Sequence, residues 1–261
     1  MTAPLRVERR EGVVRLVMDR PAAGNALNEP LAEALVAELE RAEADPRVQV
    51  LTVTGQDRFF CAGGDVKSMA SVPAGQREEL LLSLATATST LMAALSRTRL
   101  LVLAGINGIT AGAGLGLLLA ADWALASDEA KIVGAFAGVG LTPDTGVSYL
   151  LPRTVGYHRA VELTLGGRRL DGAQAARWGL VSRSVPAADF ARRLTEAEDA
   201  FLANPEHVVG PTKALLRAGR YGEDWEAHLR AEARSVAESS AHPESVRLVN
   251  RFAAPAPAAH G

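Results

Sequence analysis

Residues 100–121 read LLVLAGINGITAGAGLGLLLAA, without a single charge. A helix of about 20 apolar residues is enough to cross a bilayer, so this stretch decides whether the chain is read as a membrane protein or a globular one. Five glycines, Asn107 and Thr110 interrupt it. The two halves also differ in kind: residues 100–104 are the short, wholly apolar run of a buried strand, and residues 112–121 read as a buried helix. The stretch predicts a strand, a glycine-rich turn and a helix inside a protein core, with no membrane span.

Outward from it the chain keeps alternating. Upstream, residues 13–18 are strand-like, 29–44 repeat apolar residues at helical spacing, and 48–54 alternate as a strand. A loop with Gly and Pro then leads to a helix over about 76–97, which feeds the strand at 100. Downstream, 123–126 is a further strand; from Thr145 the pattern is mostly helical, with 180–185 as one more strand and amphipathic helices over 187–252. This order predicts an α/β class, with a core over residues 1–200, a helical C-terminal region over 201–252 and a disordered Ala- and Pro-rich tail over 253–261. No repeat of fixed period marks a solenoid or propeller.

A chain of 261 residues that is 48% hydrophobic and 22% charged can bury a sizeable core. Its 28 Lys and Arg against 30 Asp and Glu leave no basic footprint for nucleic acid or an anionic membrane, so an anionic ligand must be held by local groups. The single cysteine, Cys61, excludes an internal disulfide and fits a reducing, cytoplasmic location. The histidines fall outside every motif, and no cluster has metal-ligand spacing, so no metal is expected. Residues 1–10 carry charge where a signal peptide needs an apolar run, which argues against secretion.

Two loops carry the chemistry. In Phe59-Phe60-Cys61-Ala62-Gly63-Gly64-Asp65-Val66, small residues let the backbone approach a ligand and turn N–H groups toward it. The alternative is a plain glycine turn with Asp65 as a helix cap. In Ala111-Gly112-Ala113-Gly114-Leu115-Gly116, a glycine-rich turn opens a helix whose unpaired N–H donors suit an oxyanion; close packing of the glycines is the alternative. The G-x-G-x-G spacing is not a dinucleotide fingerprint, and no P-loop lysine follows.

Taken together the two loops resemble the paired oxyanion-hole motifs of the crotonase, or enoyl-CoA hydratase/isomerase, superfamily. The likeness runs over nearly the whole chain: Asp19-Arg20-Pro21 with Asn25-Ala26-Leu27-Asn28 near the N-terminus, and the segment from Asn204-Pro205 to Thr212-Lys213 near the C-terminus. The resemblance implies a spiral of repeated ββα units, a C-terminal helical region that forms homotrimers or dimers of trimers, and an acyl-CoA thioester as substrate. No separate cofactor is implied, because coenzyme A arrives as part of the substrate. The oxyanion donors become the backbone N–H groups of Gly64 and Ala113, the latter in place of the family's usual middle glycine. The CoA moiety is expected near Ala22, Ala26, Ala62, Gly63 and Asp65, with Arg20 and Lys213 as candidates for its phosphates and Phe136 on the pocket wall.

The family's hydratases use two glutamates, and the corresponding positions here are Gly116 and Phe136, neither of which exchanges a proton. One acid is left in a suitable loop, Asp144 in Gly140-Leu141-Thr142-Pro143-Asp144-Thr145-Gly146, a motif similar to that of single-acid enoyl-CoA isomerases and of the phenylacetate-pathway ring-opening isomerase. Asp144 also suits the cap of a helix over 145–151. The sequence thus points to an enoyl-CoA isomerase with Asp144 as the proton shuttle. The alternatives are a hydratase of altered mechanism, a ring-opening epoxide isomerase, an aryl-CoA hydrolase or dehalogenase, and an inactive CoA-ester-binding protein. The dehalogenases of the family use a histidine from the long helix and a tryptophan on the wall; residues 76–97 contain no histidine, and Phe136 stands near the tryptophan's place.

Overall fold

The continuous apolar runs of the sequence become the middle of one sheet, as expected for parallel strands covered on both faces. In the computed structural model, which describes residues 3–222 and 224–253, the chain divides after Leu202 into two compact units. Six strands of the first unit form the large sheet: β1 (Leu5–Arg10), β2 (Val13–Met18), β3 (Val50–Gly55), β5 (Leu101–Ile106), β7 (Trp123–Ser127) and β10 (Arg183–Val185), side by side in that order. All neighbours are parallel except β1 and β2. A small sheet holds β4 (Phe59–Cys61), β6 (Ile109–Ala111), β8 (Lys131–Val133) and β9 (Arg169–Leu170).

The helices of this unit are α1 (Glu29–Ala44), α2 (Val66–Ser71), α3 (Arg77–Arg97), α4 (Ala113–Ala120), α5 (Val147–Val155), α6 (Tyr157–Thr164), α7 (Gly172–Trp178) and α8 (Phe190–Leu202). Three times in succession the chain lays one strand in the large sheet, the next in the small sheet, and then turns into helix: β3-β4-α2, β5-β6-α4 and β7-β8-α5. This is the repeated ββα spiral. The second unit is helical, with α9 (Glu206–Arg220), α10 (Trp225–Ser240) and α11 (Pro243–Ala253). Ala253, assigned to the tail in the sequence reading, closes α11; residues 254–261 lie outside the described residues.

Local chemistry explains the best-read elements. Asn28 caps α1 by accepting from the Leu31 N–H at 3.1 Å, Pro30 sits in the first turn, and Leu31, Leu35, Leu39 and Ala42 form the buried stripe. α4 is buried on every side, which is why its sequence shows no polar face. α3 with its leading turn is long and apolar enough to cross a membrane by length and composition. Here one side of it faces α1 and α4, with Leu91 and Leu95 buried, while Leu82 is exposed.

Some elements depart from the sequence reading. The charged segment LRVERR forms β1 at the sheet edge, where charge is tolerated and alternation is weak. The strand expected over 180–185 is confined to Arg183–Val185, because Gly179 ends α7 in a left-handed conformation and Leu180 and Val181 drop into the core before the strand begins.

The buried carboxylate of Glu198 fastens α8 to the large sheet. It accepts from Arg15 at 2.8 and 3.0 Å and from Arg10 at 3.0 Å. Burial alone would raise its pKa, but Arg15 and Arg10 outweigh that effect and hold it below the usual carboxylate range. Glu198→Ala should cost about 2–3 kcal/mol in urea unfolding, less than for a fully enclosed pair because both arginines can rehydrate.

Candidate active site

The small sheet sets the site's layout. β4, β6 and β8 are adjacent and parallel, so the segments leaving their C-terminal ends emerge side by side. β4 delivers Ala62-Gly63-Gly64, β6 delivers Gly112-Ala113, and β8 delivers the loop that ends at Asp144. All six of these residues line one cleft of about 180 Å³.

The first loop is held from behind by the N-terminal motif. Ala62 N–H donates to Gly24 O at 2.9 Å, Leu27 N–H to Gly63 O at 2.7 Å and Asp65 N–H to Leu27 O at 3.2 Å. In this short parallel pairing Gly63 O and Asp65 N–H face Leu27, which turns the Gly64 N–H to the other side. Asn25, fully buried at φ +53, anchors the segment by donating to Gln56 O and Phe59 O at 3.0 and 2.8 Å and accepting from Arg20 N–H at 2.8 Å. Asp65 caps α2 through the Ser68 N–H at 3.3 Å and pairs with Arg20 at 2.9 Å. Burial would raise the Asp65 carboxyl, but Arg20 and Ser68 together keep it below the ordinary value.

The second loop meets the first glycine to glycine. Gly63 and Gly112 have φ of +106° and +49°, and a β-carbon on Gly112 would stand 3.5 Å from the Gly63 α-carbon. The 3.5 Å spacing would itself admit a β-carbon; it is the positive φ at both positions that favours glycine. Ala113 is the first residue of α4, so its N–H has no intrahelical acceptor. Two backbone donors thus come from adjacent loops at the floor of the cleft. Cys61 lies beneath them, but burial pushes its thiol up to about 11, which leaves it no nucleophilic role at neutral pH.

The acid loop runs from Gly134 to Gly146 and is bracketed by two non-glycine residues in left-handed conformations, Ala135 at φ +61 and Thr145 at φ +51. α5 starts at Val147 with Gly146 as its cap residue and no side-chain cap; the Asp144 carbonyl accepts from the Val147 N–H at 3.0 Å, but its carboxylate does not cap the helix. Instead, Asp144 Oδ1 accepts from the Thr145 hydroxyl at 3.2 Å. Asp144 is exposed at the cleft mouth, yet the surrounding protein desolvates its carboxyl enough to push the pKa above the ordinary value. The Thr145 hydroxyl only partly offsets this. Among the described residues lining the cleft, Asp144 is the sole ionisable one.

The remaining walls are Phe136, Val139 and Leu141 from the acid loop and Leu27, Met69, Leu81, Leu84 and Thr88 opposite, the last with its hydroxyl spent on its own helix. Sequence reading found Phe136 but not the α2 and α3 residues. Nothing in a helical period tells which face meets a cleft. Ala22 is exposed and Ala26 buried in the segment behind the first loop, where Arg20 also contacts Ala26 O. Arg20, Ala22, Ala26 and Asp65 surround the cleft loop without lining the cleft, and Lys213 lies on α9 in the second unit.

One grouping was not foreseen. In the second unit His207, His242 and Glu244 bring ligand-type atoms within 4.8 Å of one another. The two rings stack at 3.8 Å and 15°, so their in-plane lone pairs run nearly parallel and do not converge on one ion. His242 Nδ1 accepts from Glu244 N–H at 3.3 Å and His207 Nε2 pairs with Ser245 Oγ at 2.8 Å, a helix-capping arrangement at the start of α11.

Comparison with known proteins agrees with this geometry. Residues 8–253 match the family model described as enoyl-CoA hydratase/isomerase. The chain is 33% identical over 246 residues to 4-chlorobenzoyl coenzyme A dehalogenase-2 of Arthrobacter sp, covering 94% of this chain and 89% of that one. It is 36% identical over 175 residues to 1,2-epoxyphenylacetyl-CoA isomerase of Escherichia coli, covering 67% of each. The crystal structure of an enoyl-CoA hydratase from Bacillus anthracis superposes with a TM-score of 0.89 at 26% identity, covering 95% of both chains.

Proposed function

Because the chain belongs to the enoyl-CoA hydratase/isomerase family, whose members act on acyl-CoA thioesters, we propose that it moves a double bond from C3–C4 to C2–C3 of a bound 3-enoyl-CoA. The observation that carries this reading is Asp144, the one ionisable group among the described residues lining an apolar cleft, beside two adjacent loops whose Gly64 and Ala113 N–H groups are free of helix and strand pairing.

The steps balance with one acid. The Asp144 carboxylate takes a proton from C2, the electron pair delocalises into a dienolate, and the two N–H groups hold the developing negative charge on the thioester oxygen. The protonated Asp144 then gives the same proton to C4, forming the conjugated thioester and restoring the carboxylate. No water, metal or separate cofactor enters. Hydration would need a further proton-exchanging group, and neither Phe136 nor Gly116 supplies one; a β-carbon on Gly116 would stand 2.2 Å from Thr145 Oγ1.

The acyl group this cleft favours is small and apolar. A dry apolar cavity of about 150 Å³ accepts one benzene ring, and the cleft here is of similar size at about 180 Å³. CoA would lie toward Ala22, Ala26 and Ala62, beside the first loop, where Arg20 is already paired with Asp65. A homotrimer or dimer of trimers is proposed for the assembly, to be checked by sedimentation.

A second reading draws on the dehalogenase relative: Asp144 could attack the ring of a halogenated aryl-CoA, expelling halide. The lack of a histidine on α3 weighs against it. The deciding experiment supplies 3-hexenoyl-CoA in D₂O and follows both absorbance of the conjugated product and deuterium at C2. Migration supports the isomerase, C2 exchange alone supports enolate chemistry on another acyl chain, and chloride release from 4-chlorobenzoyl-CoA would favour the second reading. CoA-ester binding without any turnover would make the protein a binder.

A further inference from the structure

Thr145 sits where a threonine is costly. It is β-branched, 4% exposed and held at φ +51, a conformation that glycine adopts without strain and branched residues rarely enter. Gly146 follows it at φ +76, so the turn has a glycine at hand and still carries a threonine. A side chain kept against backbone preference at a site points to a task for that side chain.

Its surroundings name the task. A β-carbon built on Gly116 would fall 2.2 Å from Thr145 Oγ1 and 2.5 Å from Thr145 Cβ, so the threonine is seated directly on the backbone of α4. Gly116 lies three residues after Ala113, on the same face one turn along the helix. On its other side the Thr145 hydroxyl donates to Asp144. The side chain therefore spans from the helix that offers the Ala113 N–H to the acid loop.

We propose that Thr145 is a positioning residue that fixes the Asp144 carboxylate relative to the Ala113 N–H, using Gly116 as its seat. This rests on the reading of Asp144 as the proton carrier. A wedge of this kind matters because the acid must reach C2 and C4 of a substrate whose oxygen is pinned by the helix N-terminus, and small misplacements of a reacting group are expensive in rate. The hydroxyl also favours the charged carboxylate. No other ionisable group among the described residues lines the cleft to mask that effect.

The test compares Thr145→Ser, Thr145→Val and Thr145→Gly with Asp144→Asn, reading kcat, KM and the pH profile of isomerisation, and titrating the Asp144 carboxyl by ¹³C NMR. Thr145→Ser should stay near the wild-type rate. Thr145→Val and Thr145→Gly should lose roughly 10- to 100-fold in kcat with little change in KM. In both, the acid limb and the NMR titration should move to higher pH. Thr145→Gly relaxes the backbone and serves if the valine variant does not fold. Normal rates and an unmoved limb in Thr145→Val or Thr145→Gly, beside an inactive Asp144→Asn, overturn the role of Thr145 alone. Full turnover by Asp144→Asn overturns the proton-carrier reading and this role with it, while the NMR titration still reports whether Thr145 touches the carboxylate in solution.

Discussion

Asp144→Asn should lower kcat for double-bond migration by about 10³-fold, in the middle of the range for loss of a general base. KM should change little, because the amide keeps the shape and the thioester oxygen is held by other groups. Deuterium uptake at C2 should fall in parallel, since the same group breaks that bond. In the wild type, kcat/KM should rise with pH as the carboxylate ionises and then level off. The limb should lie above the ordinary aspartate range, because desolvation by the surrounding protein raises Asp144 and the Thr145 hydroxyl only partly compensates.

Stability should move the opposite way. A carboxyl whose pKa is raised by folding binds protons more tightly in the native state, so the wild type loses stability as pH climbs from the unfolded pKa toward the folded one. Below that interval wild type and Asp144→Asn should unfold alike. At pH 7 the variant should be the more stable, by less than about 1 kcal/mol because water at the cleft mouth screens the charge. A variant nearly inactive yet slightly more stable is the pattern of an acid kept for chemistry.

Ala113→Pro is expected to have the second largest effect, about 10²- to 10³-fold in kcat and kcat/KM together. Proline is well accepted at the first position of a helix, where its missing N–H has no intrahelical acceptor to lose. The substitution deletes one oxyanion donor while leaving α4 able to form. Ala113→Gly keeps the donor and should stay within several-fold of wild type. A melting temperature near wild type for Ala113→Pro, alongside the lost rate, would place the loss at the site and not in unfolding; an unchanged rate would remove Ala113 from the proposed machinery.

Sequence was most informative where a local pattern is long or chemically marked. The strand Val13–Met18 and the helix Glu29–Ala44 agree to the residue, because a six-residue apolar-rich run and a capped four-residue stripe are enough to mark them. The strands of the small sheet escaped, since two or three residues cannot display alternation. The glycine loops marked the floor of the cleft, and the positive φ of Gly63 and Gly112 explains why both positions hold glycine. The sequence could not show that the Asp144 carboxylate stays out of the cap of α5, or that Met69, Leu81 and Leu84 wall the cleft. Both depend on contacts between segments far apart in the chain.

The order of strands in the small sheet has an evolutionary consequence. In the proposed mechanism the thioester is recognised from β4 and β6, whereas the acid, Asp144, lies on the segment that follows the neighbouring β8. The scaffold behaves like a tool holder with an interchangeable bit: replacing residues 134–146 would alter which bond is made or broken without redesigning how the substrate is gripped. Divergence within such a lineage can therefore proceed by exchange of one short cassette, and directed evolution of new reactions on this chain has a natural place to begin.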